Sequence, residues 1–120
     1  MLKNILLIGA GGALGSIFRY LITYASTLLA ISSEWATLLV NVLGSFLIGM
    51  LMTMSGNGVY LFAAVVFCGG FTTFSTFSAQ TLQLLQSEQR ILAIFYILAS
   101  LTLSVMAVWA GLYCGNKFLK

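Results

Sequence analysis

Histidine and proline are absent from this 120-residue sequence, and it carries only two acidic residues. With no histidine and two cysteines, the chain lacks ligands for most side-chain metal centres and lacks the usual general bases. That excludes most enzymes. Charge of either sign is scarce: Lys, Arg, Asp and Glu together make 6% of the chain, against ~25% in ordinary soluble domains. The five cations are scattered rather than gathered into a basic patch, which removes nucleic acid as a partner. Cys68 and Cys114 lie far apart in apolar surroundings, the pattern of small buried hydrophobes rather than of a redox pair.

What remains is apolar. Hydrophobic residues make up 61% of the chain, too many for the few polar residues to cover in water. The expectation is an all-α membrane protein, one domain over residues 1–120. Crossing ~30 Å of hydrocarbon takes about 20 apolar residues in a helix. Four stretches qualify, at residues 4–30, 37–54, 59–85 and 91–113. Lys3, Glu34, Glu88, Arg90, Lys117 and Lys120 fall in the seams, and Ser55-Gly56-Asn57-Gly58 reads as a turn. Arg19 lies inside a span, toward one end. Short loops make consecutive spans antiparallel and put both termini on one side. Lys3 before an apolar run also resembles a secretory signal, but the run is too long and further spans follow.

Residues 5–15 imitate a dinucleotide-binding opening, with Gly9, Gly11, Gly12 and Gly15 after an apolar run and Glu34 further on. Leu14 occupies the place of the third glycine, and no βαβ context follows. Gly11 and Gly15 instead form a GxxxG pair, which lets two membrane helices approach closely.

Polar residues inside spans are costly and mark function. Asn41, Ser45 and Gly49 share one helical face by their i, i+4, i+8 spacing. That face suits either packing or a pathway lined by the Asn41 amide. The third span departs from a regular helix. Gly69 and Gly70 precede Thr72, Thr73, Ser75, Thr76 and Ser78, glycines that weaken a helix and hydroxyls that compete for its backbone bonds. A break near residues 69–73 is expected, and freed backbone at that depth must face protein or a watery cavity. Phe71, Phe74 and Phe77 interleave with the hydroxyls, and the positive edge of a phenyl ring favours an anion. Tyr96, Ser100 and Ser104 add a hydroxyl ladder in the fourth span. Donors and ring edges without an acid in any span suit a small anion rather than a cation or proton.

These motifs resemble the Fluc (CrcB) fluoride channels over essentially the full length. The likeness is carried by Gly11-Gly12 with Gly15 and Arg19-Tyr20, by residues 37–46 around Asn41, and above all by residues 68–77, CGGFTTFSTF. The resemblance implies an antiparallel, dual-topology homodimer of four-helix subunits in a prokaryotic plasma membrane, exporting fluoride by passive conduction. It makes Phe74 and Phe77 the pore aromatics, Asn41 a pore donor, Ser75 and Thr76 part of the same hydroxyl-rich pathway, and Tyr96, Ser100 and Ser104 a hydroxyl track. It also implies a structural sodium ion at the dimer centre, held by the backbone carbonyls of Gly69 and Thr72. Arg19 would attract anions to a vestibule or anchor its helix. The Gly11/Gly15 and Asn41/Ser45/Gly49 faces offer small surfaces for subunit contact. Two departures stand out: Ala36 replaces a usual Gly, and Gln80 stands where many relatives carry Glu. Two other classes compete. A small multidrug-type proton-coupled exporter needs an intramembrane carboxylate, and a structural membrane interaction protein leaves the hydroxyl–aromatic run unexplained.

Overall fold

The structure is a computed structural model that describes residues 1–54 and 68–119, and every described element is helical. Helix α1 spans Leu2–Leu28 and α2 spans Ser33–Leu51, extended by a 3-10 turn at Met52–Met54. A single helical turn, α3 (Cys68–Phe71), precedes α4 (Ser75–Gln86), and α5 runs from Arg90 to Phe118. The 55–58 turn and the start of the third expected span lie outside the described residues. Among those residues three helices are long and apolar enough to cross a membrane: Leu2–Leu28, Ser33–Met54 and Arg90–Phe118. The chain is a multi-pass helical membrane protein.

Helix ends refine the sequence reading. Helix α2 begins four residues before the expected Thr37, so Glu34 sits in its first turn and not in a loop. A carboxylate there is favoured by the positive end of the helix dipole. Helices α1 and α4 end alike, with Ile31 N–H on Ser26 O and Gln89 N–H on Leu84 O, each at 2.9 Å. Those bonds require a left-handed residue just past the helix, and Ala30 (φ 59°) and Glu88 (φ 63°) supply it without being glycine.

Helices α2 and α5 make the main contact of the subunit, and they run parallel. Asn41 and Ser45 share a cleft with Ser100 and Ser104, while further along Gly115 meets Met50 and Thr53. The seam is set by glycine. A Cβ on Gly49 would strike the Val108 carbonyl, and one on Gly111 or Gly115 would strike the Phe46 or Met50 carbonyl. Ala107, Gly111 and Gly115 are all buried, so a small-residue stripe lets the two backbones touch. Helix α1 approaches α3 just as closely, with Gly12 O 2.7 Å from the place a Gly70 Cβ would occupy. Gly11, Gly15 and Gly49 are buried within the chain itself.

This packing makes glycines unequal. Gly111→Val forces α5 off α2 and should lower the thermal unfolding midpoint in detergent, by about 1–3 kcal/mol in stability. Gly9→Ala has nothing within 4 Å of the added methyl. It should gain about 0.5–1 kcal/mol from helix propensity alone. Equal losses at both positions would overturn the assignment of the seam.

Candidate functional site

The expected break is present, displaced a few residues along. Gly69 and Gly70 stay inside the helical turn of α3, and the backbone leaves helical form at residues 72–74. The side chain of Asn41 holds it there. Thr73 N–H donates to Asn41 Oδ1 at 2.8 Å, and Asn41 Nδ2 donates to Thr73 O at 3.0 Å. One amide thus satisfies both backbone polar groups of a residue that has left the helix. Thr73 then braces the start of α4, whose N-cap is Phe74: Thr76 N–H donates to Thr73 Oγ1 at 3.2 Å. Thr73 Oγ1 also bonds Thr76 Oγ1 at 3.1 Å and lies 3.4 Å from Ser75 Oγ, so the hydroxyl run pairs largely with itself.

Beside the break lies a cleft of about 360 Å³ between α2, α3 and α5. Of the residues expected to act, Asn41, Gly69, Thr72, Phe74, Phe77, Ser100 and Ser104 line it. It carries no charged side chain. Ser100 Oγ is buried and has no hydrogen-bond partner among the described residues, an orphan hydroxyl at the edge of a lined space. A buried hydroxyl left unmet costs about 1–3 kcal/mol, so it calls for a ligand or water. Asn41 Nδ2 keeps a second N–H beyond the one it gives Thr73. Phe74 is 76% exposed and projects from the subunit. Its ring sits 5.7 Å from that of Phe77, which sits 5.1 Å from Tyr96.

Tyr96 does not line this cleft. It is 1% exposed and donates its hydroxyl to Gln80 Oε1 at 2.8 Å. Each i+4 step along a helix turns the side chain by about 40°, so Tyr96 has swung well away from Ser104. Its contact with the cleft passes through the ring of Phe77. Thr76 and Arg19 line a second cavity of about 260 Å³, together with Thr37, Thr73 and Gln80. Arg19 Nη1 reaches inward to Thr72 O at 3.4 Å rather than to the membrane surface. Sequence reasoning placed Thr73 in the break but missed its pairing with Asn41, which is distant in sequence. It also missed the Gly111/Gly115 pair, which the GxxxG spacing does signal.

A multi-pass helical protein with a broken helix and a neutral, donor-lined cleft belongs to the class of membrane transport proteins. The comparisons are specific. The chain matches the family model described as CrcB-like protein, Camphor Resistance (CrcB), over residues 6–112, and it belongs to that family. It is 44% identical to a fluoride-specific ion channel FluC of Agrobacterium fabrum, with 95% of this chain and 97% of the relative covered. A protein of the same name from Leptospira interrogans is also 44% identical, with 97% of each chain covered. Another, from Rhizobium meliloti, is 45% identical over 92% of this chain and 94% of the relative.

The Tyr96–Gln80 pair yields a direct test. Tyr96→Phe leaves Gln80 Oε1 without its donor in a buried site, and should cost about 1–3 kcal/mol in detergent unfolding. An unchanged midpoint would mean that water or another side chain serves the amide.

Proposed function

We propose that this chain is a fluoride-selective channel that lets the ion leave the cell passively, through the cleft beside the break. The observation that carries this is the chemistry of the lining. Asn41, Ser100 and Ser104 offer N–H and O–H donors and Phe74 and Phe77 offer ring edges, with no acid or base among them. Fluoride is small and strongly hydrated, so entry must replace several water contacts with fixed donors. A cationic side chain pointing into the cleft would bind the ion tightly, and conduction needs both entry and exit. Relatives that cover nearly the whole chain bear the name of a fluoride-specific channel. The proton-coupled exporter is not favoured. Glu34 lies in the first turn of α2 and Glu88 in the turn after α4, both away from the cleft.

Four membrane crossings belong to this reading. Because α2 and α5 are parallel and each is long enough to span, the chain between them must cross back once. Phe74 supports a homodimer: an exposed ring beside a one-sided cleft needs a second surface to close the path. That partner would be an inverted copy. Four crossings put the sequence ends, with Lys3, Lys117 and Lys120, on one side and Arg90 on the other, with Arg19 toward the Arg90 end of its span. Three cations against two is almost no positive-inside bias, compatible with insertion in both orientations. The membrane would be the plasma membrane of a prokaryote, given relatives from bacteria.

A sodium ion at the dimer centre fits the residues. Thr73 N–H goes to Asn41, which leaves the Gly69 carbonyl without its helical donor, and Thr72 O likewise lies outside helical bonding. Gly69 is exposed with open space beside it. Neutral carbonyl oxygens suit a hard cation, and two from each of two subunits would hold it. A bound ion there would supply a fixed positive charge tying the subunits together.

Purified protein in liposomes should release fluoride down its gradient with no proton gradient, and chloride leaving at a comparable rate would sink the selectivity. Phe74→Ile and Phe77→Ile keep apolar bulk but remove the ring edge, and should cut flux by roughly tenfold each. Wild-type flux in assembled variants would assign the rings to packing. A C-terminal reporter should signal from both sides of the membrane. Signal from one side alone would refute the inverted pair.

A further inference from the structure

In a helix the carbonyl of residue i receives the N–H of residue i+4. By that rule Gly69 O belongs to Thr73 N–H and Thr72 O belongs to Thr76 N–H. Both donors are diverted, each by a side-chain oxygen. Thr73 N–H goes to Asn41 Oδ1 at 2.8 Å, and Thr76 N–H goes to Thr73 Oγ1 at 3.2 Å. The carbonyl of Thr73 itself is withdrawn from use, because Asn41 Nδ2 donates to it at 3.0 Å. The Gly69 and Thr72 carbonyls are thereby left without their helical donors, while the Thr73 carbonyl is occupied.

We propose that Asn41 and Thr73 are positioning residues for a cation, their side-chain oxygens taking the two N–H groups that would otherwise close the Gly69 and Thr72 carbonyls. This rests on the reading of a sodium ion at the dimer centre, and adds which side chains set its affinity. Neither side chain need touch the ion. Each works by competing for a backbone donor, and an unpaired N–H inside a membrane protein always finds an acceptor. Removing the competing oxygen returns the donor to the nearest carbonyl. Thr72 O already has one long contact, from Arg19 Nη1 at 3.4 Å. That is beyond the usual 2.7–3.2 Å for an N–H···O bond, and a carbonyl oxygen has a second lone pair to offer.

Two substitutions at residue 73 separate this role from packing. Thr73→Val keeps the shape and removes the oxygen, while Thr73→Ser keeps the oxygen. Asn41→Leu removes the oxygen that serves the Gly69 side. The measurement is the unfolding midpoint of the purified protein in detergent, titrated with sodium chloride against N-methylglucamine chloride at constant ionic strength. Wild type and Thr73→Ser should share one half-saturating sodium concentration. Thr73→Val should need about tenfold more, as should Asn41→Leu. Amide hydrogen exchange adds a sodium-free readout: the Thr76 N–H should change protection in Thr73→Val and keep it in Thr73→Ser. A lowered midpoint in Thr73→Val or Asn41→Leu with the wild-type half-saturation would overturn the proposal and leave the sodium site standing. A wild-type protein indifferent to sodium would overturn the sodium reading, and the positioning role with it. If Thr73→Val does not fold, Asn41→Leu decides the matter on its own.

Discussion

The paired hydrogen bonds between Asn41 and the Thr73 peptide are the constraint on which the functional region depends. A helix broken at membrane depth exposes backbone donors and acceptors that no water layer can serve. Asn is among the few side chains that offer an acceptor and a donor together, and here they meet the N–H and C=O of one residue. With both atoms committed to Thr73, the backbone at residues 72–74 is fixed relative to α2. From there Thr73 braces the start of α4 through its hydroxyl, and α4 presents Phe77 to the cleft and Gln80 to Tyr96. The order of dependence runs from one amide to a helix start to the orientation of two aromatic rings.

Glycine supplies the second condition. Asn41 can reach Thr73 only if α2 lies close to the break, and Gly44 makes that approach possible. A Cβ on Gly44 would collide with the Thr72 side chain. On the other side, Gly12 and Gly70 bring α1 against α3, so the break is gripped between two helices by contacts that tolerate no methyl group. Such packing substitutes for the hydrophobic effect, which gives little drive between helices already surrounded by lipid.

How much of this was legible follows from the range of each interaction. The apolar runs that became α1, α2 and α5 were plain in composition, with ends off by a few residues. The break was legible because Gly69-Gly70 and the hydroxyls are local signals. Its narrowing to residues 72–74, at the far end of the expected 69–73, was not, because it depends on Asn41, 32 positions away. Tyr96, Ser100 and Ser104 look like one ladder by spacing. The structure keeps the two serines in the cleft and turns Tyr96 toward Gln80, since an i+4 ladder spirals slowly around its helix. Arg19 illustrates the same limit. Its position near a span's end suggested a surface role, whereas the open Thr72 carbonyl draws it inward.

The pairing of Gln80 with Tyr96 bears on why the region stays neutral. A Glu at position 80 would put a carboxylate beside a buried Tyr hydroxyl, and with it a negative charge or a proton. An amide keeps the acceptor for Tyr96 and adds N–H donors in place of the charge. Gln80 is 7% exposed, where an unpaired charge would be costly and an amide is not. Its oxygen is held by Tyr96, so the nitrogen is left to the cavity it shares with Arg19, Thr37 and Thr76. On the proposed reading, the cavities flanking the break would offer neutral donors to an anion, the larger through Asn41 and Ser100 and the smaller through Gln80, while Arg19 is turned toward the backbone at Thr72.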